Sequence, residues 1–380
     1  MNEESTMVVE KSTHKVEVIR INELLKHDNA DSLSLVKIYD YTCVVRTSDW
    51  KAGVLAAWIP PDSIVDTKRP EFAFMASKAK TDGKIRIRTQ KLRGVVSYGL
   101  LVPAPDGLNE GDDAATVLGV EHYDPEVENV LREKIGNKNY SMTGGEVAKP
   151  PRGTYPKYDV DAFMKYARVV FTEGELVVVT EKIHGSNARY VHIDDEFHRG
   201  SRDQWKKEYA SRPDLTYESL LEKIGDEEKA KQVFEKINNW TPKRNMWWQS
   251  ADTAPGMMDF CKANPGYTVY GETYGNNSGY LYDTTPEQHV KFRAFDILCL
   301  DGSWMDFPYF LATCKAFGIP HVPVIHEAIP FNFDEVVKMA EGMSLLNPKH
   351  IREGVVVHPV KERWHPKLGR VKLKVINPEY

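Results

Sequence analysis

The segment Glu181-Lys182-Ile183-His184-Gly185-Ser186-Asn187 carries the clearest chemical signal in this 380-residue sequence. Lys182 closes a run of β-forming residues, and a glycine three positions later permits a tight turn into a following strand. A lysine so placed can project from a strand end into a pocket. Its free amine has a pKa of about 10.4, so a neutral nucleophile near pH 7.5 costs roughly 4 kcal/mol. Neighbouring cations, a metal ion or desolvation must supply that amount. Taken alone, the Lys-x-x-Gly string is common, and an exposed strand-end lysine would account for it.

Other candidates follow it in order along the chain. Arg202, in Gly200-Ser201-Arg202, comes after the strand-like NARYVHI and a polar turn. Glu272 interrupts the aromatic run GYTVYGETY, where a rim or ion-pair role is the ordinary reading. Phe295 can be presented from VKFRAFDILCL, although an aromatic there is usually core. Glu353 stands at the mouth of the apolar EGVVVHP. In RVKLKVI, strict alternation places Val371, Leu373 and Val375 on one face and Arg370, Lys372 and Lys374 on the other. A solvated basic face is the simplest account of that last set.

The elements that must position these residues fall into two parts. Residues 1–140 read as short strands (KVEVIRI, SLSLVKIY, YTCVVRT, GVLAAWI) separated by turn residues, which fits a small oligonucleotide-binding (OB-like) barrel. Clustered Gly and Pro mark residues 141–156 as a linker. Residues 157–380 mix helical spacing, at 157–169, 214–238 and 333–343, with the strands just described. Because helices and strands do not alternate regularly, an α+β domain with antiparallel sheets is expected rather than a doubly wound one. The Trp247-Trp248 pair reads as core packing.

Composition bounds the function. With 41% hydrophobic and 28% charged residues the chain has an ordinary globular balance. A net charge of −5 excludes nucleic-acid binding through bulk charge, so a polyanion must be held by a local basic surface. The candidate is TDGKIRIRTQKLRG, in which Lys84, Arg86 and Arg88 share one face of an expected strand, with Lys91 and Arg93 shortly after. A solubilising edge strand is the plain alternative. No stretch is long and apolar enough to span a membrane, and the polar, acidic N-terminus is unlike a secretory signal. The cysteines Cys43, Cys261, Cys299 and Cys314 form no close pair, which suggests reduced thiols in an intracellular, cytoplasmic, nuclear or organellar setting.

The ordered set of KIHG, SR, YGE, KFRAFDIL, REG with its valines and the KLK of RVKLKVI resembles the covalent nucleotidyltransferases. That superfamily contains the ATP-dependent DNA and RNA ligases and the mRNA capping guanylyltransferases. His184 stands where the superfamily usually has Asp, and KIHG followed by a small residue and Asn is similar to polynucleotide RNA ligases. Only six residues follow Lys374, so an accessory module is expected on the N-terminal side. That arrangement resembles the Deinococcus-type RNA ligases, an OB-like domain joined to a ligase core. The segments YPKYDVDAFMKYA and MAEGMSLLNPKHIREGVVV also resemble that group.

The resemblance implies an OB-like barrel followed by an antiparallel-sheet-rich, ATP-grasp-like nucleotidyltransferase domain. It implies an ATP-dependent ligase in which Lys182 is adenylylated, AMP passes to a 5′-phosphate, and a 3′-hydroxyl then displaces it. Lys372 and Lys374 would contact the α-phosphate and help lower the Lys182 pKa. Glu353 and Glu272 would serve Mg2+ or Mn2+ through water, and Glu272 would also reach the ribose. Phe295 would stack on adenine, Arg202 would contact ribose or phosphate, and Glu181 and Asn187 would touch the base and the phosphate side. The implied partner is a nicked duplex with RNA on the 3′-OH side, bound by a monomer. A DNA ligase, a capping enzyme and an inactive nucleic-acid-binding relative are the competing readings. The intact set of Lys182, Glu353, Lys372 and Lys374 disfavours the last.

Overall fold

The computed structural model describes residues 14–79, 82–123, 147–209, 216–239, 244–275 and 282–380. Contacts divide the chain into two compact units. Residues 141–146 of the expected linker lie outside the described residues, and residues 161–171 belong to the first unit rather than the second.

The first unit is made of short antiparallel strands. Leu55–Ile59 is its centre, paired on one side with Glu17–Arg20 and on the other with Leu100–Pro103. Alternation along it serves two cores at once. Ala57 and Ile59 join Val16, Val18, Val65, Phe72 and Leu118, whereas Ala56 and Trp58 join Ile21, Val36, Ile38, Cys43 and Val45. The second core backs the sheet of Leu25–Lys26, Leu33–Ile38 and Tyr41–Arg46. The helix Phe163–Val170 belongs here too, with Lys165 bound to Glu17 at 2.9 Å and Arg168 to Asp40 at 3.0 Å.

The expected basic strand after residue 81 is shorter than its alternation suggested. Pairing with Ser63–Asp66 covers only Lys84–Arg86, and Arg88 lies beyond it. The chain then forms a separate hairpin, Gln90–Leu92 with Val95–Ser97. Arg93 and Gly94 make its two-residue turn, both at positive φ (50° and 96°), the conformation such tight hairpins require.

Among the described residues the second unit has two large antiparallel sheets. One runs in the order Glu196–Gly200, Ser186–Ile193, Thr268–Gly275, Val290–Leu298. Helices Met246–Asp252, Pro255–Ala263 and Phe307–Phe317 supply the core associated with it, where Tyr190, Trp247, Met257, Phe260, Phe292 and Phe310 pack together. The other sheet has Leu373–Ile376, Gly354–Pro359, Leu176–Lys182 and Val324–Pro330 in that order. Val177, Val178 and Val179 are all fully buried, which explains why this strand reads as an unbroken apolar run. Helical spacing at 214–238 resolves into Tyr217–Ile224 and Glu227–Asn238, and that at 333–343 into Phe333–Met339.

RVKLKVI is not one strand. Arg370 pairs with Trp364 in a two-stranded ribbon, Lys372 sits in the irregular step after it, and the sheet strand begins only at Leu373. The apolar face holds as expected, with Val371, Leu373 and Val375 buried. The basic face is not solvated: Lys372 is buried as well.

Candidate active site

Lys182 is the last residue of its strand, and Ile183-His184-Gly185 carries the chain from one sheet to the other. Gly185 is needed there for closeness rather than for an unusual backbone angle. A Cβ at this position would lie 2.4 Å from the Thr273 carbonyl oxygen and 2.9 Å from Glu272 Cγ. Sheet register then sets the first partner of the amine. Lys182 pairs with Gly354, so Glu353 stands beside it, and Lys182 Nζ donates to Glu353 Oε1 at 2.6 Å. Gly354 has its own requirement, because a Cβ would meet the Val375 carbonyl oxygen at 2.0 Å.

The second sheet brings the other acid. Asn187 pairs with Glu272, which pairs with Arg293 on the next strand. Among the described residues the Glu272 side chain makes no hydrogen bond or ion pair, and it interacts electrostatically with Lys182 and Glu353. Desolvation pushes its pKa up to about 8, the nearby Glu353 charge adds to that, and Lys182 opposes it. Glu181 is buried, and burial raises its pKa above the usual carboxylate value. Its Oε2 accepts the Leu345 N–H at 2.7 Å.

Three buried oxygens here lack a hydrogen-bond partner among the described residues: Glu181 Oε1, Asn187 Oδ1 and Glu353 Oε2. Buried polar atoms are rarely left unpaired, and each costs of order 1–3 kcal/mol. Glu181 precedes Lys182, Glu353 is its ion-pair partner, and Asn187 pairs with Glu272, so these oxygens mark a place shaped for donors or a cation. Among the described residues no group of three or more His, Cys, Asp or Glu could hold a metal directly. Two acids, Glu353 and Glu272, suit an ion that keeps several waters, as magnesium does.

Phe295 is presented by an irregularity. Tyr270 pairs with Asp296 but Gly271 pairs with Ala294, which leaves Phe295 as the extra residue of a β-bulge. Bulges re-aim side chains, and Phe295 is half-buried, its ring centroid 4.5 Å from that of Tyr158 with the planes tilted by 44°. Arg202 is held by Asp159 at 3.2 Å and Asp203 at 3.1 Å. Lys374 pairs with Val356, which in turn pairs with Thr180 of the Lys182 strand. His184 is fixed at both ends: its N–H donates to Tyr282 Oη at 2.8 Å, and its Nδ1 is bonded to the Tyr380 hydroxyl.

Sequence reasoning missed the acid that holds Lys372. Asp296 Oδ2 accepts hydrogen bonds from Lys372 Nζ at 2.7 Å and Tyr158 Oη at 2.5 Å, and it forms an ion pair with Arg370 Nη2 at 2.7 Å. Arg370 also forms a two-pronged pair with Glu362 at 2.6 and 2.7 Å and lies 4.1 Å from the Trp304 ring centroid. Burial alone would raise the Asp296 pKa, but the two cations outweigh it and hold it low. Burial pushes Lys372 down while Asp296 pulls it back up. The available signal was a lone Asp inside the apolar FDIL strand. Trp247 packs in the core as expected, and its indole donates to the Asn187 carbonyl at 2.9 Å, whereas Trp248 is only half-buried and lies under Arg199 at 3.7 Å.

Two of the basic candidates on the first unit are already paired with acids. Lys84 is bound to Glu121 at 2.9 Å. Arg86 is bound to Asp62 at 2.5 Å and stacks on Tyr123 at 3.8 Å. Arg88, Lys91 and Arg93 have no acidic partner among the described residues, and all three are exposed.

Comparison with known proteins places both units. Residues 15–104 match an OB-fold domain, so the chain combines an OB fold with a mixed α+β ligase-type unit. Residues 175–376, more than half of the sequence, match the RNA ligase family. The chain belongs to the RNA ligase family. Solved structures of Naegleria gruberi RNA ligase share its fold. A variant with ATP and Mn is 19% identical, with a TM-score of 0.69, over 96% of this chain and 97% of that chain. A second variant, with AMP and Mn, is 18% identical with a TM-score of 0.71, over 96% and 98%. The same ligase with PPi is 20% identical with a TM-score of 0.70, over 96% and 97%. Comparison with curated proteins finds no match.

Proposed function

We propose that this chain is an ATP-dependent ligase that seals 3′-OH/5′-phosphate nicks in which the 3′-OH strand is RNA. The observation that carries the reading is the Lys182 amine at 2.6 Å from Glu353 Oε1, in a setting that also contains unpartnered buried oxygens of Glu181, Asn187 and Glu353. Membership in the RNA ligase family and the N. gruberi structures with ATP, AMP, Mn or PPi support the same chemistry.

Lys182 attacks the α-phosphorus of ATP, an N–P bond forms, and pyrophosphate leaves. The AMP then passes to the 5′-phosphate of the nick, freeing the lysine. Finally the RNA 3′-oxygen attacks that phosphate and AMP departs. Splitting the condensation in this way replaces one difficult step with easier ones, and positioning with charge neutralisation supplies most of the acceleration.

The amine must first leave its ion pair with Glu353 and lose a proton. Lys374 and Lys372 offer positive charge to the α-phosphate, with Asp296 fixing where the Lys372 amine stands. Phe295 offers a ring face to adenine from its bulge. Glu181 Oε1 and Asn187 Oδ1 accept donors from the nucleotide, and Arg202 reaches ribose or phosphate. A divalent ion served by Glu353 and Glu272 through water supplies further positive charge at the phosphates when bound. The OB-fold unit takes the polynucleotide, the working species is a monomer inside the cell, and the architecture resembles that of the Deinococcus-type ligases.

Incubation with α-labelled ATP and magnesium is the test. The parent is expected to retain label on the chain, and Lys182→Ala is expected to retain none. Equal labelling of both would remove Lys182 as nucleophile. No labelling of the parent with either magnesium or manganese would remove the ligase reading.

A further inference from the structure

The six residues after Lys374 run back across the two segments that flank the Lys182 amine. Strand Leu373–Ile376 pairs with Gly354–Val357, the strand that Glu353 enters. Buried Asn377 then holds that entry at two points. Its N–H donates to the Glu353 carbonyl at 2.9 Å, and its Nδ2 donates to the Arg352 carbonyl at 3.1 Å. A turn follows, closed by the Tyr380 N–H on the Asn377 carbonyl at 3.1 Å. It brings the Tyr380 hydroxyl to His184 Nδ1, with the two ring centroids 5.7 Å apart and the planes tilted by 53°. One short segment thereby ties the acid that pairs with Lys182 to the crossing that starts just after Lys182.

His184 is gripped from a second direction. Its backbone N–H donates to Tyr282 Oη at 2.8 Å, and Tyr282 is buried in a cluster with Ile183, Tyr274 and Val322. Asn347 Nδ2 donates to the Tyr282 carbonyl at 3.0 Å and steadies it. Tyr282 thus holds the main chain of His184, and Tyr380 holds its ring. A bond to one ring nitrogen decides which nitrogen carries the proton. An imidazole nitrogen is a stronger base than a phenol oxygen, so the Tyr380 O–H donates and Nδ1 accepts. The imidazole proton then resides on Nε2, which becomes a hydrogen-bond donor. A fixed donor two residues beyond the nucleophile suits the charge that shifts among phosphate oxygens during transfer.

We infer that Tyr380 is a positioning residue: it holds His184 as the Nε2–H tautomer, a donor to a phosphate oxygen of the bound nucleotide. The inference rests on the ligase reading for the phosphate but not for the tautomer. Two measurements on the full chain test it. The first is imidazole nitrogen NMR with isotope-labelled histidine at about pH 8.5, well above the ordinary imidazole pKa. His184 is assigned by the signals lost in His184→Gln. The parent should show a proton on Nε2 and none on Nδ1. Tyr380→Phe, which keeps the ring and removes the hydroxyl, should show both tautomers in exchange.

The second is the rate at which labelled ATP modifies Lys182, followed over an ATP series with magnesium. Loss of one hydrogen bond should slow the maximal rate of Tyr380→Phe by about five- to tenfold. Half-saturating ATP should stay within about twofold of the parent, because the loss is felt in the transition state. His184→Gln keeps an N–H donor but offers no acceptor at Nδ1, so adding Tyr380→Phe to it should cost nothing further. The inference falls if the parent carries its proton on Nδ1, if Tyr380→Phe matches the parent in tautomer or rate, or if it slows both backgrounds equally. If His184→Gln takes no label, the tautomer and the rate in the parental background decide. If the parent shows the expected tautomer and its dependence on Tyr380 but never labels, the ring contact stands and the ligase reading is what fails.

Discussion

Replacing Asp296 by Asn isolates what holds Lys372 in place. The carboxylate is buried and contacts Lys372, Arg370 and Tyr158 at 2.5–2.7 Å. Arg370 would keep a counter-charge, since Glu362 grips it independently. Lys372 would not, because Asp296 is its one carboxylate partner among the described residues. Removing one member of a buried pair costs about 3–5 kcal/mol. A second estimate caps the loss, because the stranded lysine can instead shed its proton. Starting from about 10.4, that costs roughly 4 kcal/mol at pH 7.5. The two agree at about 4 kcal/mol.

The proton route adds a signature with a definite sign. In Asp296→Asn the Lys372 pKa would fall further below its unfolded value, so the unfolded chain would bind more protons than the folded one. The penalty would then shrink by about 1.4 kcal/mol for each unit that pH rises toward 10. Urea unfolding of parent and variant at pH 7.5 and 9.5 reads this directly. Asp296→Asn/Lys372→Met, which removes the stranded charge, should recover most of the loss. A penalty under about 1 kcal/mol, a penalty that does not change with pH, or failure of Lys372→Met to rescue would refute the reasoning.

Glu272 gives a second pH effect, of opposite origin. Its folded pKa of about 8 lies above the unfolded value of 4.5, so the stability it contributes is complete below pH 4.5 and is lost as pH rises through about 8. The full linkage would approach about 5 kcal/mol, and it is an upper bound because the side chain is only half-buried. Glu272→Gln should flatten the dependence of the denaturation midpoint on pH across that window, whereas an unchanged profile would show that Glu272 ionises normally. Gly185→Ala would force a methyl to within 2.4 Å of the Thr273 carbonyl. An overpacking cost of about 1–3 kcal/mol is expected, together with at least a tenfold slower labelling of Lys182. Parental labelling kinetics would mean that the crossing between sheets has room to spare.

How much of this was legible depended on the range of the interaction concerned. The strands around Lys182, Glu272, Phe295 and Glu353 could be read because β-branched runs and turn residues act locally. Gly185 does lie in a short connection into the next strand, but the sequence could not show its second constraint, the Thr273 backbone far away in sequence. Alternation in RVKLKVI correctly gave the apolar face, but it could not show that pairing starts at Leu373 or that Asp296 draws Lys372 inward. For the same reason Lys84 and Arg86 looked available until Glu121 and Asp62 were seen beside them.

The sequence by itself determined the identities that can do chemistry: a strand-end lysine, two acids, a presented aromatic and a late pair of lysines, in an order that marks the family. It also determined that an OB-like barrel accompanies an α+β unit, because side-chain period and turn residues write fold class into short windows. Tertiary structure decided which of those charges meet. Sheet register set Glu353 against Lys182, a bulge aimed Phe295, and partners distant in sequence neutralised some cations while leaving the hairpin's open. Ion pairing and desolvation depend on distances across the fold, and no local pattern encodes them.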